Sequence, residues 1–210
     1  MSIKDRRERE KKQLRQNILG AAQKIINKEG FKALSMRKLA ERIEYSPGAI
    51  YLHFQNRNQI AQELALAGYG RLFEELVAAL QTKGLVDRLK NVGLAYVAFG
   101  IKHPETYRLI FMGDAEYMEA VFTNPTPDHP AKKCYQILTD IAEALKNEGR
   151  YTGKLTPNEI ADTIWAALHG IVSLKLSCEG LQTPADDLAK IMTTMLTSGF
   201  ASPKAGKGNE

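Results

Sequence analysis

Apolar residues recur at helical spacing along nearly the whole of this chain, and no stretch shows the every-second-residue alternation of a strand. That period constrains the fold more than any other feature, because it leaves only helix-on-helix packing to build a core. Leu14, Ile18, Ala21, Ala22, Ile25 and Ile26 make one stripe, which Gly30 ends as a C-terminal cap. Ser35 then caps Met36 to Ile43. Ser46-Pro47 pairs an N-cap with proline at the first helical position, opening a very short helix through Ile50 to about Phe54. Asn56 caps a long helix carrying Ile60, Leu64, Leu72, Leu76 and Leu80.

The later part repeats this pattern. Leu85 to Lys102 stops at His103-Pro104, and Glu105 to Met112 is short. Gly113 to Pro130, with Pro125, Pro127 and Pro130, reads as a loop or a broken helix. Ala131 to Asn147 ends at Gly149. Thr156-Pro157-Asn158-Glu159 has the form of a capping box opening a helix to about Cys178, and Thr183-Pro184 opens the last one. The expected fold is all-α with about nine helices: a three-helix head over residues 1–56, a helical domain over 57–200, and a disordered tail over 201–210.

Charge divides the chain the same way. Residues 1–60 hold 14 Lys and Arg against 6 Asp and Glu, whereas residues 61–210 hold 15 against 18. A basic module joined to a mildly acidic body suits a protein that meets a polyanion at one end. Two cysteines, Cys134 and Cys178, read as reduced thiols. The charged N-terminus does not resemble a signal peptide, and no apolar run is long enough to span a bilayer. The expected location is the cytoplasm, with no membrane association. His53, His103, His129 and His169 are scattered without ligand spacing, so no metal and no cofactor is expected. No nucleophile–base pair or phosphate loop suggests an enzyme.

Two short helices separated by about three residues, with small Ala40 at their crossing and Ile50 facing it, make a helix-turn-helix. Ser35 and Arg37 lie at one helix start, and Ser46 and Gly48 at the next. These are the positions where hydroxyls, cations and free N–H groups meet phosphate. Tyr51 and His53 project from the second helix, and Arg57 begins the one that follows. The run Arg6-Arg7-Glu8-Arg9-Glu10-Lys11-Lys12 forms a basic arm that either tracks phosphates or enters a minor groove.

The stretch Phe31 to Ala40, then Ser46-Pro47-Gly48-Ala49-Ile50-Tyr51-Leu52-His53-Phe54, then Arg57 and Ile60, closely resembles the DNA-binding head of the tetracycline-repressor (TetR) family. The resemblance implies a homodimeric regulator, usually a repressor, with an effector pocket in its C-terminal helices. It places Ser46, Pro47, Gly48, Ala49, Tyr51, Leu52 and His53 against DNA, and Ser35, Arg37 and Arg57 on phosphates. Two residues depart from the pattern. Glu44 stands in the turn where glycine is frequent, so the turn either avoids positive φ or carries about 1 kcal/mol of strain. Leu52 stands where a polar or aromatic residue is usual, offering an apolar contact to a thymine methyl or removing a base contact. Trp165-Ala166-Ala167-Leu168-His169-Gly170 and His103 to Phe111 resemble the Trp-His-Gly subtype of the family's C-terminal domain.

Tyr96, Phe99, Tyr107, Phe111, Met112, Met118, Phe122 and Tyr135, with Trp165 and His169, are the candidate pocket for a small hydrophobic or aromatic effector. Taken singly, each is more often core than pocket. Ile164, Leu168, Ile171 and Val172 form a stripe among small residues, and Leu188, Ile191, Met192 and Met195 form another; both are either intramolecular core or a four-helix dimer interface. One recognition helix buries little DNA, which favours a dimer reading two half-sites of a palindromic operator. The reading is therefore a repressor released by its effector, against the alternative of a DNA-binding regulator controlled by abundance or a protein partner.

Overall fold

The computed structural model describes residues 3–112 and 128–199; residues 113–127 of the expected Gly113–Pro130 loop and the tail at 201–210 lie outside them. Nine α-helices and one 3-10 turn, Phe31–Ala33, make up the described residues, with no strand among them. The helices are α1 Ile3–Glu29, α2 Met36–Ile43, α3 Pro47–Tyr51, α4 Arg57–Ala79, α5 Leu85–Lys102, α6 Pro104–Phe111, α7 Pro130–Asn147, α8 Pro157–Ser177 and α9 Ala185–Gly199.

Local chemistry sets most of the boundaries. Ser35 and Ser46 accept from the N–H groups of Lys38 and Ala49, each at 3.2 Å, and so cap α2 and α3. The Asn56 side chain accepts from Gln59 N–H at 3.0 Å, while Gln59 reaches back to Gln55 N–H at 2.7 Å. Thr156 and Glu159 complete a capping box, with Thr156 N–H donating to Glu159 at 2.6 Å and Glu159 N–H to Thr156 at 3.2 Å. Those bonds hold the Glu159 carboxyl below its usual range. Gly30 leaves α1 at φ 80°. Glu44 ends α2 in the left-handed region at φ 59°, so of the two turn geometries open to it the strained one is adopted. Tyr45 N–H then closes back onto the Ala40 carbonyl at 3.0 Å, as in a Schellman ending.

Two compact units emerge. Of the described residues, one unit comprises 3–68 and 104–112, and the other 69–103 and 128–199. The first therefore takes in more than the residues 1–56 assigned to the head, adding the first half of α4 and the short helix α6. Its core is Ile18, Ala22, Ile25 and Ile26 of α1, Leu34, Leu39 and Ala40 around α2, Ile50, Phe54, and Ile60, Ala61 and Leu64 of α4, all buried. Each Ile, Leu and Phe among them contributes about 1.5–3 kcal/mol of burial. The second unit packs α5 against α8 and α9, and α7 against α8. Its core is Leu89, Val92, Val97, Phe99, Leu138, Ile141, Leu145, Ile160, Ile164, Leu168 and Val172.

The glycines of α4 differ in role. A Cβ on Gly68 would lie 2.8 Å from Thr106 Cγ2 and 3.2 Å from Ile110 Cγ2, so Gly68 lets α6 approach α4 closely. Gly70 would meet nothing within 4 Å. Both would gain about 1 kcal/mol of helix propensity as alanine. At Gly68 the clash with two buried side chains costs about 1–3 kcal/mol and outweighs that gain. Gly68→Ala should therefore lower the urea midpoint and Gly70→Ala should raise it. Equal stabilisation by both would refute the close approach.

Candidate nucleic-acid interface

The helix-turn-helix of α2 and α3 lies in the first unit, and α3 is only five residues long. Ile50 is its single buried side chain; Pro47 and Gly48 are exposed and Ala49 half-buried. Tyr51 is 55% exposed and Leu52 is 81% exposed, although both are large and apolar. The two stand side by side at the end of α3, so little of their apolar area is recovered by burial within the chain.

Ser35 and Ser46 use their oxygens as caps, which leaves each O–H free to donate to a phosphate. Beside Gly48 a Cβ would find only Ser46 Oγ, at 3.8 Å, so nothing within the chain demands glycine there. A surface closely approached by a DNA backbone would. Arg37 pairs with Glu41 at 3.0 Å, but the pair is exposed and weak enough for phosphate to compete. Arg57 holds its guanidinium 5.3 Å from the centre of the Phe31 ring, at the start of α4.

Arg15 was not among the expected site residues. It donates to the His53 carbonyl at 2.8 Å, ion-pairs with Glu63 of α4, and lies 4.2 Å from the centre of the Phe54 ring. One guanidinium thus ties α1 and α4 to the chain leaving α3. Lys38 and Glu29 form a second tie, which holds the Glu29 carboxyl below its usual range. His53 is half-buried, and its pKa lies below the ordinary value because burial disfavours the charged form and Lys11 and Arg15 add repulsion.

The residues expected to line a pocket fall into two groups. Tyr96, Phe99, Tyr135, Trp165 and His169 belong to the second unit; Tyr107, Phe111 and Met112 belong to the first; Met118 and Phe122 lie outside the described residues. In the second unit the Trp165 indole donates to the Tyr96 hydroxyl at 3.2 Å. The Tyr135 ring meets Trp165 edge-on at 6.3 Å, and its hydroxyl donates to Asp162 at 2.7 Å. Burial and Asp162 push the Tyr135 phenol up to about 12. His169 is half-buried and its pKa is lowered by that burial. In the first unit Tyr107 is fully buried, its ring centre 4.8 Å from that of Phe111.

The expected interface residues also separate. Ile164, Leu168 and Val172 are fully buried within the chain, so the intramolecular reading takes these three. Ile171, Leu188 and Met192 are half-buried, while Ile191 and Met195 are 50% and 70% exposed one turn apart on α9. Leu174 of α8, which the sequence reading missed, is exposed as well. Among the described residues no cluster of side chains fits a metal, and no helix is long and apolar enough to cross a membrane.

A short exposed helix, capped at its start and braced from behind, defines a DNA-reading helix-turn-helix protein with a second helical unit. Comparison with known proteins supplies the family. The model for bacterial regulatory proteins of the tetR family matches residues 18–64, and that for the tetracyclin repressor-like C-terminal domain matches residues 89–198. The chain belongs to the TetR family of transcriptional regulators: it is a DNA-binding protein and not an enzyme.

Among curated relatives, the HTH-type transcriptional regulator UidR of Escherichia coli K12 is 24% identical over 73% of this chain and 75% of its own. The uncharacterized HTH-type regulator YobS of Bacillus subtilis is 28% identical over 43% of this chain, a match that spans about half of the relative's length (47%). Among solved structures, a protein of unknown function from Rhodococcus sp. RHA1 superposes with a TM-score of 0.73 at 23% identity, covering 89% of this chain and 94% of the other. AibR in complex with isovaleryl coenzyme A and operator DNA superposes with a TM-score of 0.65 at 18% identity, covering 86% and 96%. At these identities the structures speak for the fold.

Proposed function

We propose that this chain is a dimeric repressor that reads a palindromic operator with α3 and leaves it when a small hydrophobic effector binds the C-terminal helices. The observation that carries the reading is the exposure of Tyr51 and Leu52 on a helix whose only buried side chain is Ile50. A helix that contributes so little to its own core is suited to a major groove, with Ser46, Pro47, Gly48 and Ala49 entering first and Ser35, Arg37, His53 and Arg57 on the flanking phosphates. Ile191 and Met195 on α9, with Leu174 and Ile171 on α8, offer the apolar surface for a second copy. Two copies present two half-sites, roughly 34–36 Å apart on one face of the duplex.

Tyr96, Trp165, Tyr135 and His169 supply aromatic surface with a few polar tips, the lining expected for an apolar or aromatic ligand. The AibR structure in complex with isovaleryl coenzyme A and operator DNA supports this reading by likeness of fold. An effector that prefers the non-binding arrangement by about 1–3 kcal/mol is enough to release DNA. The test has two arms. A mobility shift on the duplex upstream of the protein's own gene should show saturable binding, and a thermal-shift screen of hydrophobic compounds should find one that raises the melting temperature and reverses the shift. Binding to the duplex with no compound acting would leave a regulator controlled by abundance or a protein partner. Absence of duplex binding would sink the reading altogether.

A further inference from the structure

A cavity of about 300 Å³ opens at the far end of α3, lined by Glu8, Lys11, Lys12 and Arg15 of α1 and by Leu52 and His53. Its charge is not spent internally. Arg15 is engaged with the His53 carbonyl and Glu63 and acts as a wall. Lys11 and Lys12 are exposed and, among the described residues, form no ion pair. Glu8 stands three and four positions before them, the spacing at which helix pairs form, yet none does. Among the described residues it is the one carboxylate lining the cavity, and it opposes an anion there; the two ammonium groups outnumber it by one.

The shape of α1 selects which anion fits. The basic arm is helical from Ile3 onward, and residues 3–13 are all exposed. A helix with its side chains is about 10–12 Å across, whereas the minor groove is about 6 Å wide. Of the two roles open to the arm, threading a minor groove therefore does not suit it. What stands beside the end of a helix as short as α3 is the phosphate wall of the groove that the helix occupies, and Leu52 and His53 mark that end. Lysine is a point charge without the fork that reads base edges, so contacts here hold the backbone without reading sequence.

We propose that Lys11 and Lys12, on the wall made by Arg15 and His53, form a site for a backbone phosphodiester of duplex DNA flanking the groove read by α3. The site rests on the DNA-reading function proposed above and adds to it an affinity that is independent of sequence. Arg15 is a positioning residue in it, and the lysines make the contact.

The test is a salt titration of binding to a random-sequence duplex several helical turns long, comparing wild type with two double variants. Lys11→Gln with Lys12→Gln removes the site. Lys24→Gln with Lys28→Gln removes the same charge from exposed positions of the same helix, about 20 Å further along. The first pair should lower the slope of log K against log salt by about 2 and weaken binding roughly ten- to a hundredfold near 0.1 M salt. The second pair should keep the wild-type slope. All four side chains are exposed, so melting temperatures should match, and a mismatch would show that the lysines serve the fold. If wild type binds and the two pairs behave alike, the phosphate site is refuted while the regulator reading stands. If wild type binds no duplex at any salt, both fall together.

Discussion

Phe54→Ala should cost the first unit about 3–5 kcal/mol, the usual range for emptying a fully buried phenylalanine site. Phe54 is the first residue after α3 to return to the core, and its N–H closes onto the Ile50 carbonyl at 3.0 Å. Ile50 and Phe54 together are what attach an otherwise exposed five-residue helix to the rest of the head. Arg15 covers the Phe54 ring, so the variant also loses a cation–π contact of about 0.5–1 kcal/mol and leaves the guanidinium over a cavity. A small domain holds about 5–15 kcal/mol in total, so this single change removes a large part of it. Urea unfolding followed by circular dichroism should show the loss as a lower midpoint, and duplex binding should fall with it. Phe54→Leu keeps most of the volume and should cost about 1.5 kcal/mol or less. A Phe54→Ala loss below about 1 kcal/mol would mean that the chain after α3 is not anchored as described.

What was legible in the residues was what short-range chemistry decides. Ser35, Ser46, Asn56 and the Thr156–Glu159 box each satisfy N–H groups within four residues, so their roles follow from spacing alone. The far end of α3 was less distinct, because Leu52, His53 and Phe54 still hydrogen-bond to Gly48 and Ile50 after the helix proper has ended at Tyr51. Periodicity also cannot say whose surface a stripe meets. Ile164, Leu168 and Val172 satisfy one helical face whether the neighbour is α5 or another chain, and only their burial assigns them to the core. Gly68 and Gly70 are alike in sequence, two glycines inside one helical pattern, yet α4 runs unbroken through both, and only the packing of α6 distinguishes them. Arg15 was hidden among basic neighbours, since its partners His53 and Glu63 lie 38 and 48 positions away. Aromatic density between 96 and 135 suggested one cluster, but the residues between 104 and 112 join a different unit.

Tyr51→Ala should do the opposite of Phe54→Ala, sparing the fold and removing the function. The side chain is more exposed than buried, so its loss should change stability by no more than about 0.5 kcal/mol. Alanine is also a better helix former, which offsets part of the lost contact at the last position of α3. Against DNA the ring and hydroxyl are expected to contact the groove wall, and losing one well-placed contact costs about 1–3 kcal/mol per half-site. A dimer suffers that loss twice, so binding to a two-half-site duplex should weaken by at least a hundredfold in a fluorescence-anisotropy titration. Tyr51→Phe separates the two parts of the side chain: if the hydroxyl donates to a phosphate, the phenylalanine variant should lose most of that affinity, and if the ring packs on a sugar or a thymine methyl, it should retain most of it. Random-sequence duplex distinguishes the cases further, because a phosphate contact is lost on every sequence and a base contact only on the operator. Unchanged affinity in Tyr51→Ala, with an unchanged melting temperature, would show that the exposed end of α3 does not face the duplex.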